Sequence, residues 1–379
     1  MHSDRPSISG QEAVVDIRNG MSDVDLMRKY RLSASALLSL FNKIVKAGMI
    51  AEEELGDRLK PVAAEIDLDL LKPGVHRESI RGIPDVKWRF KCDGWVFSSP
   101  TIGERSTFFG SWDRHLYSVD SASGELNWKF KTGDVIRSSP VLMDDTVYVG
   151  SWDQHLYAID EVAGREIWRF RSKKEIWCAP AAGRGIVYFS STDGYLYALD
   201  ALNGLMKWKF KMGGPVFNWV ESAPAISGGL VFCGSHSGKL FSLNALSGEV
   251  RWSFGTKGPV DSSPAVSEGT VFFGAHDGYL YALEANSGKE KWRYNAGCPT
   301  YGSPAIFGGK TFFASGGTLS AVDAQSGREY WNFKIPNAFL SSPVVSGNRV
   351  YFGSSDHHLY ALDRESGEQL WRFETGNQV

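Results

Sequence analysis

Cysteine is scarce in this chain. Its 379 residues include four, Cys92, Cys178, Cys233 and Cys298, and no two of them are close in sequence. This spacing argues against a zinc site and predicts free thiols in a reducing compartment. No run of about 18 apolar residues occurs, so we expect no membrane span. The opening Met1–Gly10 is polar and predicts no signal peptide, which favours a cytoplasmic location.

An excess of charge of one sign is also lacking. Lysine and arginine total 41 and aspartate and glutamate total 43, for a formal net charge of −2. This balance gives no overall attraction to nucleic acid or to anionic membranes. Tryptophan and glycine are abundant instead, with 13 and 41 residues. Aromatic residues favour strands and glycines favour tight turns, so the composition predicts a β protein.

The tryptophans reveal an internal repeat of about 40 residues. Eight of them keep this spacing: Trp88, Trp128, Trp168, Trp208, Trp252, Trp292, Trp331 and Trp371. Each unit starts with a Ser-Ser-Pro-like triplet, as at Ser138–Pro140, and continues with an apolar strand, as at Val147–Ser151. Then comes Leu-Tyr-Ala-Leu-Asp or a relative, as at Leu196–Asp200, and a glycine turn leads to the tryptophan strand. Each unit therefore predicts four short strands, here named A to D.

Such a unit cannot bury both of its faces alone, and stacking the units around an axis solves this problem. The predicted fold class is all-β, a propeller of four-stranded blades preceded by a small all-α domain. Seven triplets predict seven blades, at 98–130, 138–170, 178–210, 222–254, 262–294, 302–333 and 341–373. Trp88–Phe90 is then a surplus D-type strand, expected at the seam between the first and last blades. Eight blades, with the eighth completed by the linker, is the alternative.

The first part of the chain has a helical rhythm. We predict a flexible tail at 1–10, a small helical domain at 11–60, a linker at 61–83 and the propeller at 84–379. A first helix is expected at Gln11–Arg18, and the helix, break, helix pattern that follows, over 22–47, resembles a helix-turn-helix unit. Possible DNA contacts are Ser35, Ser39, Asn42, Lys43 and Lys46. Residues 11–60 hold eight basic and eight acidic residues, a balance that favours protein docking or dimerisation instead.

Positions that vary between blades while their neighbours stay fixed are candidates for function. Strand A is innermost in a propeller, so the residue before each triplet should lie at the mouth of the central channel. In blade order these residues are Phe97, Arg137, Trp177, Glu221, Asp261, Tyr301 and Leu340. Trp95 and Trp219 lie two residues upstream of ring positions, on the approach loops. A ligand site and simple packing of the mouth are both open for this ring.

The loops between blades and the turns between strands B and C should share one face, because the strands alternate in direction. Trp112, Trp152, His115 and His155 lie in these B–C turns. Aromatic side chains with a few charges favour a protein or peptide partner. The alternative for His115 and His155 is that they are surface residues without a role in binding. The aspartates of the same turns are expected to hydrogen-bond their own backbone: Asp113, Asp153, Asp193, Asp277 and Asp356.

The repeat text resembles a known family. LYALDALNGLMKW, at Leu196–Trp208, and LYALEANSGKEKW, at Leu280–Trp292, are similar to the tryptophan-docking repeat of quinoprotein-type propellers. That family includes PQQ-dependent alcohol dehydrogenases and the propeller lipoprotein of the outer-membrane assembly machine. The resemblance covers residues 84–379. It implies the fold and leaves the function open, because one propeller serves enzymes, sensors and scaffolds.

Three functions follow from these observations: a non-enzymatic binding or scaffold propeller, a ligand-sensing transcriptional regulator, and a PQQ-dependent dehydrogenase. The resemblance implies that an enzyme would carry PQQ and a calcium ion held by Glu, Asn and Asp, and in many members an adjacent cysteine pair. No such pair occurs, and Asn218, Glu221 and Asp261 are few oxygen ligands for calcium. We therefore predict the binding propeller, without enzyme activity, catalytic residue, metal or cofactor.

Overall fold

The structure is a computed structural model that describes residues 10–19, 87–212 and 222–375, together with Leu26, Lys29, Leu40, Ile44, Val45 and residues 49–51. The chain divides into two compact units, Met1–Glu78 and Ser79–Val379. Among the described residues, no helix combines the length and the apolar character needed to cross a bilayer.

The first unit contains the α-helix Gly10–Arg18, which begins one residue before the predicted helix. The apolar face of this helix is buried, and so are three later apolar side chains; the set is Ala13, Val14, Ile17, Leu26, Ile44 and Ile50. Lys29 Nζ forms an ion pair with Asp16 at 2.6 Å. The rest of the predicted helix-turn-helix lies largely outside the described residues, including all five possible DNA contacts.

The second unit contains seven antiparallel sheets of four strands, each in the order A, B, C, D. The seven predicted blades are therefore confirmed. The strands are Thr101–Ile102, Ser106–Gly110, His115–Asp120 and Leu126–Lys131 in blade one; Val141–Met143, Thr146–Gly150, His155–Asp160 and Glu166–Arg171 in blade two; Ala181–Gly183, Ile186–Ser190, Tyr195–Asp200 and Met206–Lys211 in blade three; Ala225–Ser227, Leu230–Ser235, Lys239–Asn244 and Val250–Gly255 in blade four; Ala265–Ser267, Thr270–Gly274, Tyr279–Glu284 and Glu290–Asn295 in blade five; Ala305–Phe307, Lys310–Ser315, Thr318–Asp323 and Glu329–Lys334 in blade six; Val344–Ser346, Arg349–Ser354, His358–Asp363 and Gln369–Glu374 in blade seven.

The burial of each strand explains which residue types it contains. Strand B of blade three, Ile186–Ser190, is wholly buried, and so is the centre of strand C. Strand D alternates, with Trp208 and Phe210 half-buried and Lys207, Lys209 and Lys211 exposed. The outermost strand thus presents one apolar face to the next blade, and its lysines discourage pairing with a foreign strand.

Neighbouring blades are joined by the tryptophan of strand D. Trp168 Nε1 donates a hydrogen bond to Ala201 O of the next blade at 2.9 Å, and its ring packs on the turn glycine Gly204. A Cβ atom on Gly204 would lie 2.7 Å from that ring, so only glycine leaves room for the docking indole. The same hydrogen bond and glycine contact recur for Trp88, Trp128, Trp208, Trp252, Trp292 and Trp331.

The segment before blade one departs from the prediction in one respect. Trp88 Nε1 bonds Ser121 O at 3.1 Å, and the Phe90 ring lies 5.4 Å from that of Tyr117, so the segment docks on blade one as a D strand would. Residues 87–90 nevertheless form no strand, because no strand C pairs with them among the described residues. The linker proposed for an eighth blade, 61–83, lies outside those residues.

Candidate functional site

Backbone hydrogen bonds bring the predicted loops together on one face. Trp112 N donates to Trp95 O at 2.9 Å, and Trp152 N donates to Val135 O at 3.1 Å. Each bond joins a B–C turn to the loop that enters the same blade. In blade five, His276 N bonds Pro259 O in the same manner at 2.9 Å. The variable side chains of turn and entry loop are therefore held beside each other, at the predicted channel mouth.

Five aromatic side chains at this mouth form a continuous series, here called the aromatic arc. Its members are Trp95, Phe97, Trp112, Trp152 and Trp177. Trp152 and Trp177 stack at 4.8 Å with 14° between their planes, and Trp112 lies 5.6 Å from Trp152. The Trp95 and Phe97 rings both lie within 5.3 Å of Trp112. Four of the five off-register tryptophans thus meet, and the fifth, Trp219, lies outside the described residues.

The aromatic arc has one cationic neighbour and two indole N–H groups without an acceptor in the described residues. The Arg137 guanidinium lies 5.4 Å from the Trp177 ring centroid, a cation–π distance. The indole Nε1 atoms of Trp112 and Trp152 are buried and donate to no acceptor within the described part of the chain. Every docking tryptophan described above has such an acceptor. A buried donor without a partner costs free energy.

Blades four and five bring an acidic residue between two histidines, here called the His–Asp–His cluster: His236, Asp261 and His276. Asp261 is 7% exposed. Its carboxylate lies 3.3 Å from His236 Nδ1 and 3.0 Å from His276 Nε2. The Tyr301 ring is 4.5 Å from that of His276. Two predicted ring residues, Asp261 and Tyr301, are therefore brought into one site.

Our sequence reasoning missed both of these histidines, although a signal was available. They occupy the turn position that holds Trp112 and Trp152 in blades one and two. A comparison of this turn position between blades would have shown tryptophan in blades one and two and histidine in blades four and five. Glu221, the third charged ring residue predicted, lies outside the described residues.

The predicted role of the turn aspartates is confirmed for Asp113, Asp153, Asp193 and Asp277, whose Oδ1 atoms accept a hydrogen bond from the backbone N–H two residues later. Asp113 accepts hydrogen bonds from Tyr117 Oη at 2.6 Å and from His115 N at 3.0 Å. Burial opposes ionisation of this carboxyl, but these bonds and one from Asp93 N outweigh it, and the pKa of Asp113 is lowered. Burial and the same carboxylate raise the pKa of Tyr117.

The loop-face histidines belong to the same turns. His115 Nδ1 and His155 Nδ1 each lie 3.0 Å from a carbonyl of their own turn. His155 also borders a shallow depression of about 410 Å³ between blades one and two, together with Asp153, Tyr157 and Arg169. Asp153 already accepts a hydrogen bond from Tyr157. These groups serve the turn, and the structure does not join the two histidines into one site.

The described residues of the mouth do not fit a calcium ion. Calcium requires several converging oxygen ligands, whereas Asp261 is in contact with the imidazoles of His236 and His276. The other two candidate ligands, Asn218 and Glu221, lie outside the described residues. Across the residues that the structure describes, no group of three His, Cys, Asp or Glu side chains is placed to hold a metal. No step of a metal-assisted or PQQ-dependent reaction can be derived from this site.

Comparison with known proteins identifies the same repeat. The family model of the outer membrane protein assembly factor BamB matches residues 113–259, 212–302 and 276–379. The structure is similar to BamB from Moraxella catarrhalis, with 16% identity, a TM-score of 0.68, and coverage of 76% of this chain and 90% of that one. Among curated proteins, no sequence matches significantly.

Two other solved structures are of different kinds. The computationally designed Ika8 protein has 17% identity and a TM-score of 0.67, over 76% of this chain and 90% of that one. The quinohemoprotein alcohol dehydrogenase ADHIIG from Pseudomonas putida HK5 has 15% identity and a TM-score of 0.64, over 77% and 68%. At such identities the likeness shows the fold alone. The resemblance to quinoprotein-type propellers, inferred from the repeat text, is confirmed.

Proposed function

Because this chain belongs to the family of the outer membrane protein assembly factor BamB, we propose that it is a non-enzymatic propeller that binds a protein or peptide partner at its channel mouth. The observation that carries the proposal is the aromatic arc. Blade docking uses other tryptophans, so the four tryptophans of the arc are additional to what the repeat requires.

The arc offers a peptide exposed aromatic faces. Trp95 and Phe97 are 60% and 57% exposed, and flat aromatic faces pack well against proline, aromatic and peptide groups. The Nε1 atoms of Trp112 and Trp152 are buried, so an extended segment lying over the arc would contact aromatic rings and not these two donors.

The His–Asp–His cluster supplies the polar end of the site. Asp261 brings a carboxylate to the mouth, and the imidazoles beside it can donate or accept hydrogen bonds. Tyr301 is 52% exposed beside them. We therefore propose a partner segment with an apolar or aromatic part over the arc and a hydrogen-bonding or basic part near Asp261.

Enzyme activity is not part of the proposal. The fold is shared by BamB, an assembly factor by name, and by quinohemoprotein alcohol dehydrogenases, so the decision depends on the site. The described mouth residues lack the converging oxygens that a quinone-bound calcium ion needs.

Selection of peptides from a random display library on the full chain tests this function. The best peptide is synthesised, and its affinity is measured by calorimetry for wild type, Trp152→Ala, Trp177→Ala and Asp261→Ala. Truncating an aromatic anchor in a binding site costs about 2 kcal/mol or more, so we expect at least about tenfold weaker binding in each arc variant.

Leu202→Ala is the matched control, because Leu202 is 83% exposed in a C–D turn, on the other face of the blades. Its affinity should equal that of wild type. If the mouth variants retain full affinity for every selected peptide while remaining folded, the mouth is not the binding site and the proposal is wrong.

A further inference from the structure

The carboxylate of Asp261 is enclosed by the B–C turns of two blades. Val260 N donates a hydrogen bond to Ser235 O at 3.0 Å, which ties the entry loop of blade five to the turn of blade four. The bond from His276 N to the same loop ties it to the turn of its own blade. The Asp261 side chain is therefore held between His236 and His276, and it is 8% exposed.

The two imidazoles contact this carboxylate in different ways. His236 turns Nδ1 toward both carboxylate oxygens at 3.3 Å, and its side chain is 32% exposed. Its other nitrogen, Nε2, has no hydrogen-bond partner in the described residues. His276 turns Nε2 toward Asp261 at 3.0 Å, and this atom is buried and forms no hydrogen bond within the same residues. Because a buried carboxylate is stabilised by a cationic partner, both contacts favour protonated imidazoles.

Protonation changes both the charge and the hydrogen bonding of the cluster. With neutral imidazoles the Asp261 carboxylate gives it a charge of −1, and two added protons change this to +1. A neutral His236 that donates Nδ1–H to Asp261 offers Nε2 as an acceptor, whereas an imidazolium has only donors. Histidine is the side chain whose charge ordinarily changes between about pH 5 and 8, so mild acid inverts what the cluster presents.

The other titratable side chains on the same turns and loops do not supply such a change. In the described residues these are Lys239, Lys257, Asp277, Cys298 and Tyr301. Asp277 is engaged by Tyr281 Oη at 2.7 Å and by Lys257 N at 2.9 Å. Tyr301 packs its ring on His276. Side chains of these types ordinarily keep their charge between about pH 5.5 and 7.5, so the response to pH comes from the imidazoles.

We propose that the His–Asp–His cluster makes partner binding at the channel mouth proton-dependent. With neutral imidazoles, His236 Nε2 accepts a hydrogen bond from a lysine or arginine side chain of the partner. Protonation in mild acid removes this acceptor, reverses the charge of the cluster and releases the partner. The inference rests on the proposed function, because it adds a control to the same site.

A peptide that does not itself titrate in this range tests the inference on the full chain. A display library without His, Asp, Glu or Cys is selected on wild type at about pH 7.5, and the best peptide is synthesised with blocked termini. Its affinity is measured by calorimetry at about pH 7.5 and about pH 5.5, which span the ordinary histidine range. Loss of the acceptor and repulsion between like charges should weaken binding at least about tenfold at the lower pH.

Glutamine substitutions identify the groups that titrate. Glutamine stays uncharged, so the double variant His236→Gln/His276→Gln should change its affinity by less than about twofold between the two pH values. His115→Gln is the matched control, because His115 also follows a B–C turn and lies 3.4 Å from an aspartate, Asp113, in blade one. It should keep the full pH dependence of wild type. Circular dichroism at both pH values checks that each protein is folded.

Trp152→Ala, measured at about pH 7.5, separates the inference from the function on which it rests. A peptide that is weakened by Trp152→Ala but binds wild type equally at both pH values overturns the inference and leaves the proposed function standing. An undiminished pH dependence in the double histidine variant also overturns the inference. A peptide that is unaffected by Trp152→Ala, Trp177→Ala and the histidine substitutions binds outside the mouth, and this result overturns both.

Discussion

The docking tryptophans and the aromatic arc use the same side chain in opposite ways. In the docking set, each indole places its ring on a glycine and its N–H on a carbonyl of the next blade, as Trp168 does. In the arc, tryptophans contact one another, and Trp112 and Trp152 donate to no acceptor in the described residues. The difference teaches that a docking tryptophan needs both a glycine beneath its ring and an acceptor for its N–H, and Trp112 and Trp152 lack that acceptor in the described residues.

Truncating a docking tryptophan should have the largest effect. Trp168 is 9% exposed, and Trp168→Ala leaves a cavity between blades two and three and removes one of the two side-chain hydrogen bonds to Ala201 O, the other coming from Tyr148 Oη. We expect the free energy of unfolding to fall by about 3–5 kcal/mol. Urea titration followed by far-UV circular dichroism measures the change.

Trp152→Ala provides the comparison within the arc. Trp152 is only half-buried and no acceptor is lost with it, so its truncation should cost about 1–2 kcal/mol, clearly less than Trp168→Ala. Equal costs for the two variants would mean that the arc is as structural as the docking set.

The turn that carries the arc should show an intermediate effect that depends on pH. Asp113→Asn removes a carboxylate that is 10% exposed and bonded by Tyr117 and two backbone N–H groups. We expect a loss of about 1–2 kcal/mol at neutral pH. The folded pKa of Asp113 lies below its ordinary value of 3.8, so the carboxylate stabilises the fold above that value. The contribution is lost as the pH falls below 3.8 and through the lower folded pKa.

Unfolding free energies of wild type and variant, measured from pH 7 to acid, check this sign. The difference between them should shrink as the solution is acidified below about pH 4. Glu125→Gln is the control, because the Glu125 side chain is exposed and this variant should differ little in stability from wild type. A gap between wild type and Asp113→Asn that stays constant into acid would show that the substitution acts through something other than charge.

Sequence periodicity was sufficient for the framework of the molecule. Triplet, turn and tryptophan spacing predicted seven blades, because four-stranded units need neighbours on both faces. The role of Asp113 was also predictable, since a turn aspartate bonds backbone close to it in sequence. The clustering of Trp112 with Trp152 followed from strand alternation.

Other features depend on contacts that periodicity does not contain. Asp261 contacts histidines that are 25 and 15 residues away in sequence, on two blades. The repeat pattern does not show that these three side chains are close in space. Trp88–Phe90 has the sequence of a D strand. A strand also requires a paired neighbour, which the local sequence does not reveal. The fold was therefore predictable, whereas the pairing of polar groups at the mouth was not.

The smallest effect, and the sharpest test of the comparison, should come from replacing indole by phenyl. Trp152→Phe keeps an aromatic ring beside Trp177 and removes a buried N–H that has no acceptor in the described residues, so stability should change by less than about 0.5 kcal/mol. Trp168→Phe removes an N–H bonded at 2.9 Å and should cost about 1–3 kcal/mol. Chemical denaturation of both variants decides the matter. If Trp152→Phe costs as much as Trp168→Phe, the N–H of Trp152 has a structural partner and is not held for a ligand.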